Sequence, residues 1–367
     1  MINTLKLSCF IILIFFPIHS CFSHNIEENY EEYNENIDMN GNYACSLYAN
    51  NCFENQSTAV YKNYLFLVPN YREIIYIYSI KNKELLYSYT MEAMKELNGS
   101  GSILYHCNNT CFGTDYYDVN DFFPLLYISQ RARSDKRCFT EVFRIVANKS
   151  SKDSEFSSFK LELVQTIYFP PMSKSNSMGN VNTVIDRENK LLYTYSRNNS
   201  QNDTNYRQCK ISCFSIPDIH QSEVYLEDTD IRNSYMLNIS ALYMQGACIE
   251  GDYLYIARGS KNVGYIDINI IDLNTQKIVK QLDLLSKGYR WEPEGCFFYD
   301  GHLMISSGNN IWKLDNVSGI VDISDEQITK SYYYNINGIQ LYAPQKGVNI
   351  VRYQTNDGTE VIRKINK

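Results

Sequence analysis

The chain predicts an all-β fold, a β-propeller of six four-stranded antiparallel blades, and three observations carry that expectation. One short phrase recurs six times, as Leu65-Phe66-Leu67, Leu126-Tyr127-Ile128, Leu192-Tyr193-Thr194, Leu254-Tyr255-Ile256, Leu303-Met304-Ile305 and Leu341-Tyr342-Ala343. Its leading leucines stand 61, 66, 62, 49 and 38 residues apart, the spacing of radially repeated blades. Most copies follow a polar turn, at Lys62-Asn63, Glu188-Asn189-Lys190, Gly251-Asp252, Asp300-Gly301 and Asn337-Gly338. Tyrosine is abundant, with 32 copies against 8 prolines, and it suits pleated, half-buried surfaces.

Residues 1–20 predict a signal peptide. Lys6 precedes the apolar run Cys9-Phe10-Ile11-Ile12-Leu13-Ile14-Phe15-Phe16, which is too short to span a bilayer. Pro17-Ile18-His19-Ser20-Cys21 follows, and a small residue before a cysteine resembles a bacterial lipoprotein cleavage box. That resemblance implies acylation of Cys21 and a membrane anchor there. An ordinary secretory signal cut near Ser20 or Ser23 is the alternative, and either predicts export. Residues 21–50 predict an acidic flexible tether, since His24 to Glu35 carries five acids, no bases and few apolar groups. Its acidic run resembles the surface-export signal of Bacteroidetes lipoproteins. The implied address is the outer membrane in the cell envelope, on its surface or its periplasmic face.

Residues 51–367 predict the propeller. Blade one runs from Gln56 to Thr90, with strands around Tyr64–Val68, Ile74–Ile80 and Glu84–Tyr89. Its outer hairpin turns at Lys81-Asn82-Lys83 and is echoed in blade four by Asn269–Leu273, Asn274-Thr275-Gln276 and Lys277–Leu282. Blade two takes strands at Ser102–Cys107, Leu125–Ser129, Cys138–Val146 and Lys160–Phe169, interrupted by insertions at Asn108–Pro124 and Ala147–Ser158. Blade three, from Asn180 to Asp228, takes Val181–Asp186, Leu191–Ser196 and Cys209–Ile216. Blades four and five begin at Gln245 and Glu294, and blade six covers Tyr332 to Lys367. Ser57-Thr58-Ala59-Val60 is the expected closing strand.

This organisation resembles the six-bladed TolB-like and NHL-like propellers of exported bacterial proteins. The phrases that carry the resemblance are Gln245-Gly246 ahead of Leu254-Tyr255-Ile256, and Glu292-Pro293-Glu294-Gly295 ahead of Leu303 and Ile305-Ser306. The fold hosts sugar binders, scaffolds, lactonases and esterases, so it does not decide function.

A net charge of −7 without any basic run excludes a nucleic-acid partner on electrostatic grounds. Nine cysteines follow Cys21, and in an exported chain an odd number leaves at least one unpaired within the chain. Cys45/Cys52 and Cys107/Cys111 flank turns and could close locally. Cys209 and Cys213 lie roughly 13 Å apart at strand rise and cannot bond without a bend. Cys248 and Cys296 read as core filling. The spacings contain no zinc signature.

In a propeller the inner strands line a channel, and polar groups at their starts can converge on one ligand. The candidates are His106, Asn108, Asn109, Asn180, Asn182, Gln245, Glu292 and Glu294, with Arg290 and Trp291 beside the last two. Acid, guanidinium and aromatic ring together suit a sugar or a cation. The alternatives are structural: Glu294 as a blade-to-blade tie and Trp291 as lateral packing. Resemblance to six-bladed lactonases and gluconolactonase-like hydrolases implies Ca2+ held by Glu294, Asn180 and Asn109, although the pattern lacks a channel Asp and a placed histidine base. Asp115–Asp121 reads as a solvated acidic loop capped by Phe122-Phe123-Pro124, without the EF-hand spacing. No phosphate loop, nucleophile elbow or glycosidase carboxylate pair is present. The sequence therefore reads as a lipid-anchored propeller binding a glycan or an envelope protein without catalysis. A calcium-dependent hydrolase and a structural scaffold subunit are its alternatives.

Overall fold

The structure is a computed structural model that describes residues 43–46, 55–69, 74–82, 84–90, 107–130, 137–149, 156–171, 178–198, 207–286, 288–307, 310–314, 328–335, 337–346, 348–355 and 360–366. The signal peptide, Cys21, Cys52 and His106 lie outside those residues. The described chain is all-β, broken only by short 3-10 turns at Asp228–Asp230 and Lys261–Val263.

Strand β1 (Tyr43–Ser46), which falls in the stretch read as tether, precedes the first sheet. That sheet is an antiparallel meander of β2 (Asn55–Tyr61), β3 (Tyr64–Pro69), β4 (Ile74–Ser79) and β5 (Glu84–Thr90). The second contains β6 (Thr110–Phe112), β7 (Leu126–Gln130), β8 (Phe139–Lys149) and β9 (Phe156–Tyr168). The third contains β10 (Met178–Asp186), β11 (Leu191–Asn198) and β12 (Gln208–Ser215). From β12 the chain makes an excursion to lay β13 (Glu223–Tyr225) parallel on β9, and returns as β14 (Asn233–Ser240) to pair with β12. The fourth contains β15 (Met244–Glu250), β16 (Tyr253–Ser260), β17 (Tyr265–Asp272) and β18 (Lys277–Asp283). The fifth contains β19 (Gly295–Tyr299), β20 (His302–Ser307) and β21 (Asn310–Leu314), with β1 as its outermost strand. The sixth orders its strands as β23 (Gln340–Leu341), β22 (Ile328–Asn335), β24 (Val348–Thr355) and β25 (Glu360–Asn366).

The innermost strands of the first five sheets touch in a circuit: β2 packs on β6, β6 on β10, β10 on β15, β15 on β19, and β19 on β2. This is the radial plan of a propeller. It also corrects the six-blade expectation, because β19 meets β2 directly and leaves no place in the circuit for the sixth sheet. Burial explains the miscount. Leu65, Leu126, Leu192, Leu254 and Leu303 are each 0% exposed on the second strands of their sheets, whereas Tyr342 in the sixth phrase is 105% exposed. Five copies are core strands, and the sixth starts on half-buried Leu341 at the end of a two-residue edge strand and runs out onto the surface at Tyr342.

Two further expectations change. The innermost described strand of the second sheet is β6, inside the segment read as an insertion, and the expected strand Ser102–Cys107 lies outside the described residues except for Cys107. Ser57–Val60 belongs to inner strand β2, and the strand that joins the two ends of the circuit is β1 on β21. The loop at Asn108–Pro124 is a packing element. Phe122 and Phe123 enter a cluster with Tyr61, Tyr64, Phe66 and Phe156 between the first two sheets. Arg144 holds the same loop through a two-pronged bond to Asp121, 2.8 Å at its shortest.

Polar residues set the local geometry. The inner hairpins turn on left-handed residues, Lys62, Lys190, Gly251, and Asp300 with Gly301, which are the turns expected from the repeated phrase. Buried Arg258 grips Asp267 at 2.6 and 2.8 Å and donates to the Ser240 carbonyl, joining the third and fourth sheets. Arg137 donates to the Leu226 carbonyl and to Glu227 while lying over the Tyr225 ring, and so pins β13.

Backbones approach closely between β15 and β19. A methyl group on Gly246 would stand 2.4 Å from the Gly295 Cα, whereas one on Gly251 would meet nothing within 4 Å. Gly246→Ala is expected to cost roughly 3 kcal/mol by overpacking the axis. Gly251→Ala costs about 1 kcal/mol, from its left-handed backbone alone. Urea denaturation of both variants measures the difference, and equal costs would refute the close approach.

Candidate functional site at the head of the axis

The repeated phrase supplies a common register for the inner strands. The third residue of each phrase pairs with Thr58, Thr110, Thr183, Ala247 and Cys296 in sheets one to five. Two positions upstream lie Gln56, Asn108, Val181, Gln245 and Glu294, so four of five sheets present an amide or a carboxyl at the head of the axis.

These side chains meet. Gln56 Nε2 donates to Glu294 Oε2 at 2.8 Å and reaches Asn108 Oδ1 at 3.5 Å. Asn108 Nδ2 reaches the Met244 carbonyl at 3.5 Å, and Gln245 Nε2 donates to Glu292 Oε1. One layer deeper, Asn109 Nδ2 donates to the Thr183 carbonyl at 2.7 Å while its Oδ1 accepts from the Ala247 amide at 3.0 Å. A single side chain thus ties the second, third and fourth sheets together and forms a floor beneath the polar group. Below it, Ser57 pairs with Thr110 at 2.6 Å, Thr58 with Ser306 at 3.0 Å, and Thr140 with Thr183 at 2.6 Å.

Both carboxyls at the head are raised above the usual carboxylate value. Burial pushes Glu294 well above the usual value of 4.5, and the neighbouring Glu292 pushes it the same way. Burial raises Glu292 too, and the amide of Gln245 offsets part of that rise. Two nearby acids in a low-dielectric setting cannot both ionise cheaply. Gln245 is 5% exposed, and its Oε1 is buried without a hydrogen-bond partner. Asn182, one layer down, keeps a similarly buried, unbonded Nδ2.

The expected site is thus assembled in part. Glu294, Glu292, Gln245 and Asn108 join it, with Glu294 acting as a tie through the side chain of Gln56. The sequence reading missed Gln56 because it treated that segment as a closing strand. The signal was present: an amide two positions ahead of the residue that pairs with the phrase. Arg290 is exposed, and its Nη1 donates to the Leu285 and Tyr289 carbonyls of its own loop. Trp291 stacks on Trp312 with centroids 6.3 Å apart and abuts Tyr289, forming an aromatic wall below Glu292 and Glu294 in sequence. Asn180 is exposed with φ 51, displaced by a bulge between Gly179 and Asn182.

The residues read as calcium ligands do not fit that role. Both amide atoms of Asn109 are committed to backbone, Asn180 is exposed, and burial raises the Glu294 carboxyl well above its usual value. Among the described residues no three His, Cys, Asp or Glu side chains form a metal-binding group. The local closure open to Cys107 and Cys111 is not made either: Cys107 Sγ meets Gln130 Oε1 and Cys111 Sγ the Thr183 carbonyl.

The opposite end of the axis is hollow. A cavity of about 120 Å³ is lined by Thr110, Cys111, Ala247, Cys248, Cys296 and their neighbours. It shares Val60, Arg187 and Phe298 with a wider recess of about 520 Å³ bounded by Tyr61, Lys62, Tyr299 and Asp300.

No protein-family model matches the chain, and no curated protein matches it. Solved structures similar to it include hydrazine synthase of Kuenenia stuttgartiensis, at 10% identity and a TM-score of 0.36, over 85% of this chain and 83% of that one. Glutaminyl cyclase of Myxococcus xanthus aligns at 10% identity and a TM-score of 0.39, over 74% of this chain and 92% of that one. A TolB protein of Agrobacterium tumefaciens aligns at 10% identity and a TM-score of 0.32, over 84% and 79%. Superpositions at that level carry no argument about this chain, whose propeller class rests on its own strand order.

The raised Glu294 sets a pH signature. An acid whose folded value exceeds its unfolded one holds the extra proton in the folded state, so stability falls as pH rises from 4.5 through the raised value. Glu294→Gln keeps an acceptor for Gln56 and removes the titration. The variant should melt higher than wild type at about pH 7 and match it near pH 4 by calorimetry. Parallel profiles for the two proteins would show that Glu294 does not titrate abnormally.

Proposed function

We propose that this chain is an exported, lipid-anchored β-propeller that binds a hydroxyl-rich ligand, a glycan of the cell envelope, at the acidic head of its axis without catalysis. The observation that carries the reading is the buried, unbonded Oε1 of Gln245 beside Glu292 and Glu294, whose carboxyls burial raises above the usual value. A buried acceptor without a donor costs roughly 1–3 kcal/mol, and a ligand hydroxyl would recover it. Gln56 and Asn108 supply further amide groups from two other sheets, and half-buried Trp291, next to Glu292 in the chain, supplies one aromatic ring for a sugar to pack on. The donor set argues against a calcium hydrolase, since both amide atoms of Asn109 are bonded to backbone groups and Asn180 is exposed.

The export reading rests on the apolar run before Cys21 and the acidic stretch behind it. It assigns the propeller to the outer membrane, held through acylated Cys21.

Glycan-array screening followed by titration calorimetry tests the binding reading. An envelope glycan should bind wild type, and Gln245→Ala should weaken it about tenfold, or about 1.4 kcal/mol, with the melting temperature preserved. Binding to no glycan, or glycan binding unaffected by Gln245→Ala and Glu292→Gln, would overturn it.

A further inference from the structure

The inner strands of the fourth and fifth sheets carry a thiol pair that core filling does not require. Cys248 Sγ and Cys296 Sγ stand 3.4 Å apart, beside the point where Gly246 and Gly295 bring the two backbones together. Both line the small cavity at the hollow end of the axis, Cys296 being 2% exposed and Cys248 somewhat more open. The other thiols with described partners meet oxygen or nitrogen: Cys107 the Gln130 side chain, Cys111 the Thr183 carbonyl, and Cys138 the Val181 amide. Only at Cys248 and Cys296, among the described residues, does sulfur meet sulfur.

We propose that Cys248 and Cys296 are a disulfide-forming pair that staples the fourth and fifth sheets at the axis when the chain folds under oxidising conditions. A disulfide needs Cα atoms roughly 4.4–6.8 Å apart and side chains directed at each other, and touching strands with contacting sulfurs are placed for that. In the reaction, one thiol attacks a low-molecular-weight disulfide and releases one thiol from it. The second cysteine then displaces the other half as a second thiol. The protein loses two protons and two electrons, and the small disulfide gains them.

The surroundings decide when this can happen. Burial holds the Cys248 thiol well above its ordinary value, and Cys296 adds to that. Burial likewise pushes Cys111, on the same cavity, up to about 12. Thiolate is the attacking species, so these groups react slowly once the sheets have packed. Oxidation therefore belongs to folding, before the circuit closes, and the finished bond is shielded from reductant by the same burial. Cys111 remains a thiol because its nearest described partner is a backbone carbonyl.

The staple relies on the export reading only for where the oxidant is met, and its test needs no export. The full chain is denatured, reduced, and refolded in a glutathione redox buffer. Remaining thiols are alkylated under denaturing conditions, and peptides are mapped by mass spectrometry. A peptide pair joined through Cys248 and Cys296, lighter by two hydrogens, is expected, with Cys111 alkylated. The oxidised protein should melt about 5 °C above the reduced one, a gain absent from Cys248→Ser. Alkylation of both Cys248 and Cys296 after refolding, or a bond from either to Cys111, would overturn the proposal. Neither result bears on export, which cell fractionation reads separately.

Discussion

Everything in this molecule depends on five backbones meeting at one axis. Strands that converge there cannot keep large side chains, so the third-layer positions are Thr58, Thr110, Thr183, Ala247 and Cys296, and one close seam uses two glycines. Convergence also strands polar groups away from water, and each must find a partner within the circuit. The Ser57–Thr110, Thr58–Ser306 and Thr140–Thr183 pairs meet that demand between neighbouring sheets. Asn109 meets it across three sheets.

The same crowding shapes the chemistry at each end. At the head, amides outnumber the carboxyls they serve, and burial rather than charge pairing controls Glu292 and Glu294. Such a surface can accept and donate hydrogen bonds, and among the described residues no three His, Cys, Asp or Glu side chains form a metal-binding group. At the other end the strands diverge, a cavity opens, and the thiols of Cys111, Cys248 and Cys296 face it. One axis therefore presents two chemically different mouths separated by the Asn109 floor.

Away from the axis, long-range strand additions manage the sheet edges. β1 covers β21 and links the start of the described chain to its fifth sheet, while β13 crosses from the third sheet to cover β9. Both remove exposed edges that could otherwise recruit another chain. Arg137 and the stacked Tyr168 and Tyr225, 4.6 Å between centroids, hold β13 in place.

Strands, turns and sheet class were legible in the chain because they follow from local periodicity. The phrase at Leu65, Leu126, Leu192, Leu254 and Leu303 marks second strands, and the polar turns ahead of it adopt left-handed backbone. Glu294, Glu292, Gln245 and Asn108 were legible as site residues because strand starts face the axis. Tertiary structure alone decided the number of sheets around that axis, since Leu341 matches the phrase in letters but is only half-buried, on a two-residue edge strand. It also decided that Thr110 to Phe112 forms an inner strand within the segment read as an insertion, that a bulge displaces Asn180, and that Gln56 belongs with Glu294, 238 positions away. Local sequence specifies how a strand pleats and turns. Which strands meet depends on contacts between segments far apart in the chain, and no local pattern encodes those.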